Sequence, residues 1–370
     1  MNANKTKVLL CAPFRGGVGG IKRWTEHILN YYEDNKNDID VEIDLFDTGR
    51  KHFVYGNTSK LKRVITGAVD YLSLIRAFRK RLATNNYDVV HITTSASFGL
   101  LGDIAFLKKL QKRHIRSVVH FHFGRIPQLV KDRNWEYKLL QRVIHLSTTA
   151  IVLDEASYHS LLDLGYDNIK ILPNPLAPKV EEIIASHQEI TKIDRSLVFV
   201  GHVVRGKGVY ELIEACKGIP NIHLKVIGTV SSTTKQELLS VAGHNNENWL
   251  EICGEKEYED VIKEMISASI FVLPTYSEGF PNVILEAMAC GCAIIASSVG
   301  AIPEMLDVNS ENVCGLTIAP KQVDELKDTI EKMLDNVFLA TNCGQNAMSR
   351  VRKEYTIPQV MRQLIEIWKL

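Results

Sequence analysis

The segment Pro173-Asn174-Pro175-Leu176-Ala177-Pro178 constrains the fold more than any other stretch of the sequence. Three prolines in six residues exclude a helix interior and a central strand, because each ring fixes φ near about −65° and removes a backbone donor. The segment therefore reads as a linker or hinge. On both sides of it, short apolar runs alternate with longer helical patterns. Before the break, strands are expected at Lys7–Ala12, Val41–Phe46, Tyr87–Ile92, Ser117–Phe121, Ala150–Leu153 and Ile169–Leu172, and helices at Ile21–Tyr32, Leu61–Leu82 and Leu100–Arg113. After it, strands are expected at Leu197–Val200, His223–Ile227, Leu250–Ile252, Ile270–Leu273 and Ala293–Ala296. The matching helices are Val209–Cys216, Thr234–Val241, Tyr258–Ile266, Pro281–Cys290 and Val323–Leu334. Strands that alternate with helices imply βαβ units and parallel sheets buried on both faces.

A chain of 370 residues has room for two domains, each with its own core. Its 45% apolar and 24% charged content excludes a disordered or low-complexity chain. The net charge of +1 hides an asymmetry: residues 1–178 carry 26 Lys and Arg against 17 Asp and Glu, and the remainder 18 against 26. The basic half suits an anionic partner such as a membrane surface, a lipid-linked phosphate or nucleic acid, and an ordinary solvated face accounts for it equally well. Within that half, Lys60, Lys62, Arg63, Arg76, Arg79, Lys80 and Arg81 interleave with Tyr71, Leu72, Leu74, Ile75 and Phe78. This is the pattern of a core-facing amphipathic helix first and of a membrane-surface helix second. Cys11, Cys216, Cys253, Cys290, Cys292 and Cys314 sit in or beside apolar runs as small core residues do, and no pair has a zinc or redox spacing. A reducing cytoplasm is the expected location. The run before Phe14 is too short for a secretory signal, and no stretch of about 18 apolar residues could span a bilayer. Any membrane contact would then be peripheral.

The densest chemical signal is Tyr276-Ser277-Glu278-Gly279-Phe280-Pro281-Asn282-Val283-Ile284-Leu285-Glu286-Ala287-Met288-Ala289-Cys290-Gly291, which follows an expected strand. Pro281 suits the first position of a helix, where its missing N–H costs nothing. Gly279 lets backbone approach a ligand closely. The amides of Phe280, Asn282 and Val283 would point out of the helix start, a place that attracts phosphate. Glu286 is the anomaly, a carboxylate among apolar neighbours that must find donors. A ribose with two vicinal hydroxyls would satisfy it, and so would an ion pair with a neighbouring helix.

These residues carry a resemblance. Glu278 and Glu286 resemble the E-x7-E motif of glycosyltransferase family 4. The flanks Phe271-Val272-Leu273-Pro274-Thr275, Gly291-Cys292-Ala293-Ile294-Ile295-Ala296 and Val299-Gly300-Ala301-Ile302-Pro303-Glu304 are similar to that family too. The resemblance implies that Glu286 binds the nucleotide ribose and that Glu278 lies beside the donor sugar. It implies that the backbone from Gly279 to Val283 holds sugar and diphosphate, and that Gly254 and Glu255 meet the base. A second signal, Val200-Gly201-His202-Val203-Val204-Arg205-Gly206-Lys207-Gly208, resembles the family's diphosphate turn. Lys207-Gly208 match it, whereas His202 stands where the family has Arg, so Arg205 would supply that charge. In the first half, Arg15-Gly16-Gly17-Val18-Gly19-Gly20-Ile21-Lys22-Arg23 fails the dinucleotide fingerprint G-x-G-x-x-G, which disfavours an oxidoreductase. Gly19-Gly20 are similar to the family's diglycine turn facing the donor phosphates, with Gly16-Gly17 adding reach. His120-Phe121-His122-Phe123-Gly124-Arg125 ends a strand. His122 is the better match to the family's histidine near the reacting sugar, although alternation puts His120 on the same face.

The resemblance implies an α/β protein of the GT-B fold: two Rossmann-like domains whose parallel sheets face each other across a cleft, and a C-terminal helix that crosses back. The domains would be 1–178 with about 352–370, on the acceptor side, and 179–351, on the nucleotide-sugar side. The expected activity is retaining transfer of a hexose-type sugar from a nucleotide diphosphate sugar, UDP-linked before GDP-linked, to a glycan or lipid-linked acceptor of a surface polysaccharide. Glu278, His122, Lys207 and Arg205 would carry the chemistry, with no metal and no nucleic-acid partner. A sugar-nucleotide epimerase and a non-catalytic sugar-nucleotide-binding subunit are the alternatives on the same fold.

Overall fold

The computed structural model describes residues 5–15, 19–49 and 60–370, the side chains of 60–69 excepted. Gly16, Gly17 and the side chains of Lys60, Lys62 and Arg63 therefore lie outside the described residues. The chain divides into two compact units, 1–174 with 360–370 and 175–359. Each is built on a six-stranded sheet in which every pairing is parallel.

The first sheet contains β1 (Thr6–Ala12), β2 (Val41–Asp47), β3 (Val89–Thr94), β4 (Arg116–Phe121), β5 (Thr149–Val152) and β6 (Ile169–Ile171), in the order β2-β1-β3-β4-β5-β6. The second contains β7 (Ile193–Val200), β8 (His223–Ile227), β9 (Leu250–Gly254), β10 (Ala268–Leu273), β11 (Ala293–Ser297) and β12 (Gly315–Ile318), in the order β12-β11-β10-β7-β8-β9. Central strands are apolar on both faces because helices cover both. Val8, Leu9, Leu10, Cys11 and Ala12 of β1 are all fully buried. Alternation sends Leu9 and Cys11 into one core and Val8, Leu10 and Ala12 into the other.

The second of those cores explains why the end of the chain belongs to the first unit. The last helix, Ile357–Lys369, adds Val360, Met361, Leu364, Ile367 and Trp368 to it. Arg116 Nη2 donates to the Trp368 carbonyl at 2.7 Å, and Trp368 Nε1 donates to His91 Nδ1 at 2.9 Å. In the helix Lys60–Thr84, Phe78 and Leu82 are buried in the other core, with Leu74 and Ile75 packed against it. Its apolar stripe therefore faces the protein rather than a membrane.

Six helices and one strand were not legible in the pattern: Ile126–Asp132, Trp135–Leu146, Glu155–Leu162, Pro178–Ser186, Ile302–Met305, Val337–Glu354 and β12. Their start signals are local. Asn134 accepts from the amides of Glu136 and Tyr137, and Asp154 from that of Ser157, so both cap their helices. The proline cluster ends by starting a helix, with Pro178 at its first position. Cys343 is buried and Cys253 is half-exposed, a correction to the expected core cysteines. Cys253 lies on β9, the edge strand of its sheet, where one flank has no neighbour. Among the described residues no helix is long and apolar enough to cross a membrane.

Candidate functional site

In the second sheet the chain runs from β7 through β8 to β9 on one side, then returns to place β10 on the other side of β7. Ligands of parallel sheets bind beyond the carboxyl ends at such a reversal. Both strong sequence signals leave from these two strands. Residues 201–208 follow β7 and residues 274–281 follow β10. The two loops are tied together: the Tyr276 amide donates to the Gly206 carbonyl at 2.9 Å, and Thr275 Oγ1 to the same carbonyl at 3.3 Å. Lys207 Nζ forms an ion pair with Glu278 Oε1 across the reversal, both side chains being partly buried.

Two glycines make this approach possible. Gly208 has φ +71°, and a Cβ there would lie 1.9 Å from the Pro274 carbonyl oxygen. Gly300 has φ +56°, and a Cβ there would lie 2.3 Å from the Glu278 carbonyl oxygen. Each position needs a residue free to adopt the left-handed region and without a side chain. The neighbouring Ala301 amide then donates to the Gly279 carbonyl at 2.9 Å, fixing the loop from its far side.

The helix after this loop spans Asn282–Ala289, one residue later than its start was read in the sequence. Pro281 is the capping residue, with φ −75° and an extended ψ of 111°, and its carbonyl accepts from the Ile284 amide at 3.0 Å. Glu286 is buried among Ile284, Leu285, Ala287 and Met288. Tyr258 Oη donates to Glu286 Oε1 at 2.8 Å. Tyr258 opens the helix Tyr258–Ser267 after Gly254 and Glu255, so it links the ribose candidate to the base-loop candidate. Sequence reasoning missed it, and its only signal was a tyrosine at a helix start close to that loop. Asn282 and Val283 are half-buried at the helix start, and Phe280 is buried edge-on against Tyr355 at 5.9 Å between ring centroids. Gly254 has φ +75°, and the exposed Glu255 accepts from Thr229 Oγ1 at 3.5 Å.

Arg205 is directed elsewhere. Its guanidinium lies 4.2 Å from the centroid of the Tyr210 ring, and the Tyr210 hydroxyl donates to Glu237. Of the two cations read from the sequence, the structure brings only Lys207 to Glu278. His202 is exposed. A cavity of about 520 Å³ in this unit lies away from these residues, around the amino ends of β7 and β8 and beside Trp249 and Glu264.

The first sheet reverses between β1 and β3. Gly19 and Gly20 follow β1 at the start of the helix Gly20–Asn35. Gly19 has φ 176°, an extended conformation open to any residue, and a Cβ on either glycine would meet no atom of the described residues within 4 Å. Among the described residues, nothing in the packing requires glycine at these two places. Three histidines, His91 within β3, His120 near the end of β4 and His122 just past it, pack around Trp24. Its ring centroid lies 5.7 Å from His91 and 5.1 Å from each of the others. Burial holds all three imidazoles neutral. His91 and His122 are pushed down to about 3 and His120 is lowered as well. His120 is fully buried, while His122 at the strand's end is half-buried and its amide donates to the Thr94 carbonyl at 2.9 Å. Alternation puts the two on one face, as expected, and depth separates them.

Beyond the carboxyl ends of the same two strands lies a network that the sequence did not reveal. After β3, Ala96 and Ser97 take φ of 78° and 58°, uncommon for residues other than glycine. Ser97 is held there by its amide, which donates to Glu136 Oε1 at 2.7 Å. Arg125 grips the same buried carboxylate through both terminal nitrogens, at 2.9 and 2.5 Å.

Comparison with known proteins adds the family. The family described as "Glycosyltransferase Family 4" matches residues 18–179, and "Glycosyl transferases group 1" matches residues 180–350, so the two run consecutively along most of the sequence. The chain belongs to glycosyltransferase family 4. Its relatives include the capsular polysaccharide biosynthesis glycosyltransferase CapM of Staphylococcus aureus, 31% identical over 174 residues, or 45% of this chain and 43% of CapM. Matches to two other relatives likewise span 43% and 32% of their own lengths. The fold is that of solved GT-B glycosyltransferases. Sucrose-phosphate synthase from Thermosynechococcus elongatus superposes with a TM-score of 0.73 at 16% identity, over 99% of this chain and 98% of that one. Anabaena HepE, crystallised in complex with UDP, superposes with a TM-score of 0.69 at 15% identity, over 98% of both chains.

Proposed function

We propose that this family 4 protein is a retaining, metal-independent transferase that moves a hexose-type sugar from a nucleotide diphosphate donor to a glycan or lipid-linked acceptor. The acceptor would belong to a surface polysaccharide, and the protein would work at the inner face of the cytoplasmic membrane. The observation that carries the reading is the joining of Lys207 to Glu278 at the carboxyl ends of β7 and β10, where the sheet reverses. In the reaction the acceptor oxygen bonds to the anomeric carbon as the bond to the diphosphate breaks, and the acceptor proton passes to an oxygen of the departing diphosphate. Negative charge builds on the departing diphosphate. Lys207 would meet that charge, with the amides of Asn282 and Val283 and, after turning from Tyr210, Arg205. Glu278 would hold Lys207 in place and lie beside the sugar. Glu286, shared with Tyr258, would take the ribose hydroxyls, with Gly254 and Glu255 near the base.

In the first unit, Gly19 and Gly20 would give backbone to the donor phosphates, and His122 would serve the acceptor hydroxyl. The neutral imidazole there would accept a hydrogen bond from that hydroxyl rather than take its proton, since burial disfavours the charged form. UDP is the favoured nucleotide because HepE, whose fold is shared, was crystallised with it. The test is incubation with UDP- and GDP-sugars, with and without a bacterial lipid extract, following nucleotide diphosphate release and the anomeric configuration of the product. Release that depends on the extract, with retained configuration, is expected. Isomerised donor without extract would make the protein an epimerase, and binding without turnover on any extract would leave it a binding subunit.

A further inference from the structure

In the second unit the loop 278–281 is held from two sides, and both supports end on one side chain outside the site. The first support is the segment after β11. The Ala301 amide donates to the Gly279 carbonyl, and the helix Ile302–Met305 follows at once, with Ile302 and Met305 fully buried. The second support reaches the loop through Phe280, whose buried ring lies edge-on against Tyr355. Tyr355 is itself pinned. Its amide donates to the Val351 carbonyl at 3.0 Å, and its carbonyl accepts from the Leu176 amide at 2.6 Å.

Arg350 joins the two. It projects from the helix Val337–Glu354, which packs so closely on the turn at Gly291 that a Cβ at Gly344 would lie 2.5 Å from the Gly291 carbonyl oxygen. Arg350 Nη1 pairs with Asp307 Oδ2 at 3.0 Å, and Nη2 donates to the Glu304 carbonyl at 3.3 Å. Asp307 takes φ 51° where the helix Ile302–Met305 has just ended, so both bonds hold that helix. Nη2 also pairs with Glu354 Oε2 at 3.2 Å. The same guanidinium lies 6.0 Å from the centroid of the Tyr355 ring and donates to its hydroxyl, which burial pushes up to about 12. A planar fork of five donors can serve partners in several directions at once, as a single ammonium cannot. Glu286, by contrast, takes its hydrogen bond from Tyr258 on another helix.

We propose that Arg350, acting through Tyr355 and the helix Ile302–Met305, is a positioning residue that sets the loop 278–281 for the diphosphate and sugar half of a donor. The nucleoside half is left to Glu286 and Tyr258. This role rests on the nucleotide-sugar reading of the site. Donors aimed at a phosphate act only while their geometry is held, so a loop that loses either support meets the diphosphate less well.

Calorimetric titration of the full chain with UMP and UDP, and with GMP and GDP, tests it. Within each pair the ligands differ by one phosphoryl group, so the ratio of their affinities reads the diphosphate half alone. A smaller folded fraction weakens both ligands alike and leaves the ratio unchanged. Tyr355→Leu and Arg350→Met should each lower the preference for the diphosphate about tenfold, with monophosphate affinity kept within about twofold. Tyr355→Phe keeps the ring against Phe280 and should retain the wild-type ratio. Equal weakening of mono- and diphosphate, an unchanged ratio in both variants, or a ratio in Tyr355→Phe as low as in Tyr355→Leu overturns the role of Arg350 while the donor site stands. A wild-type protein that binds none of the four nucleotides overturns the donor site itself, and this role with it.

Discussion

Replacing Gly20 with alanine separates what the fold needs from what a ligand needs. Gly20 is the first residue of a 16-residue helix, and a Cβ there meets no atom of the described residues within 4 Å. Alanine is the better helix residue and narrows the unfolded ensemble, so Gly20→Ala should stabilise the first unit by about 0.5 kcal/mol. For a domain of this size that is a rise of roughly 1–2 °C in melting temperature. If a donor phosphate packs on the Gly20 backbone, the new methyl pushes the ligand away by about 1 Å. A displacement of that size costs on the order of 100-fold in rate. Calorimetric melting and donor turnover, measured on the same preparation, give both numbers. Unchanged turnover would remove Gly20 from the donor site. A melting temperature that fell with activity would refute the premise that the glycine is free of structural duty.

Lys207→Ala should lower kcat about 100-fold with the fold intact, since loss of one preorganised donor to a developing charge costs about 3 kcal/mol; near-normal turnover by steady-state assay would count against its role. Gly208→Ala should fail differently. The added Cβ, 1.9 Å from a backbone oxygen at φ +71°, forces the two loops apart, so both melting temperature and activity should drop together. Burial raises the Asp103 carboxyl to about 7, against donation from Thr94 that pulls the other way. The native state therefore keeps a proton that the unfolded chain releases above its ordinary carboxylate range, and stability is lost as pH rises from about 4 to about 7. Asp103→Asn should consequently gain up to about 4 kcal/mol over wild type at pH 8 and little at pH 4, read from denaturant melts at the two pH values. The buried histidines act in the opposite direction. The depressed values of His91 and His122 mean stability is present above about 6.5 and lost as pH falls toward about 3; His120 is shifted in the same direction by its burial, so His120→Leu should flatten the acid limb of the stability curve.

Much of the fold was legible because a parallel sheet writes itself as apolar runs. β1, β4 and β10 are largely buried on both faces, and each was located within a residue or two. What escaped were elements whose signal is a single cap or a four-residue strand, such as the helix after Asn134 and β12. The site was legible where chemistry conflicts with local pattern. Glu286 inside an apolar helix, and glycines beside cations after a strand, stand out in one dimension. Tyr258, Gly300 and the Glu136 network did not, because their partners are 28, 22 and 11 or more residues away and only tertiary structure reveals them. The reading of Arg205 as a partner equal to Lys207 rested on charge alone. Arg205–Lys207 form a single 3-10 turn, whose three residues per turn point side chains two apart in different directions, so Lys207 reaches Glu278 and Arg205 lies over Tyr210.

The central claim is that the second unit holds a nucleotide through a carboxylate lodged in a greasy helix. Calorimetric titration of the wild-type protein and Glu286→Ala with UDP, and then with GDP, tests it most directly. Saturable binding of one nucleotide to the wild type is predicted, weakened about tenfold or more in the variant by the loss of charge-assisted hydrogen bonds worth about 1.5–3 kcal/mol. Equal affinity in the two proteins, or heat from neither nucleotide, would contradict the account.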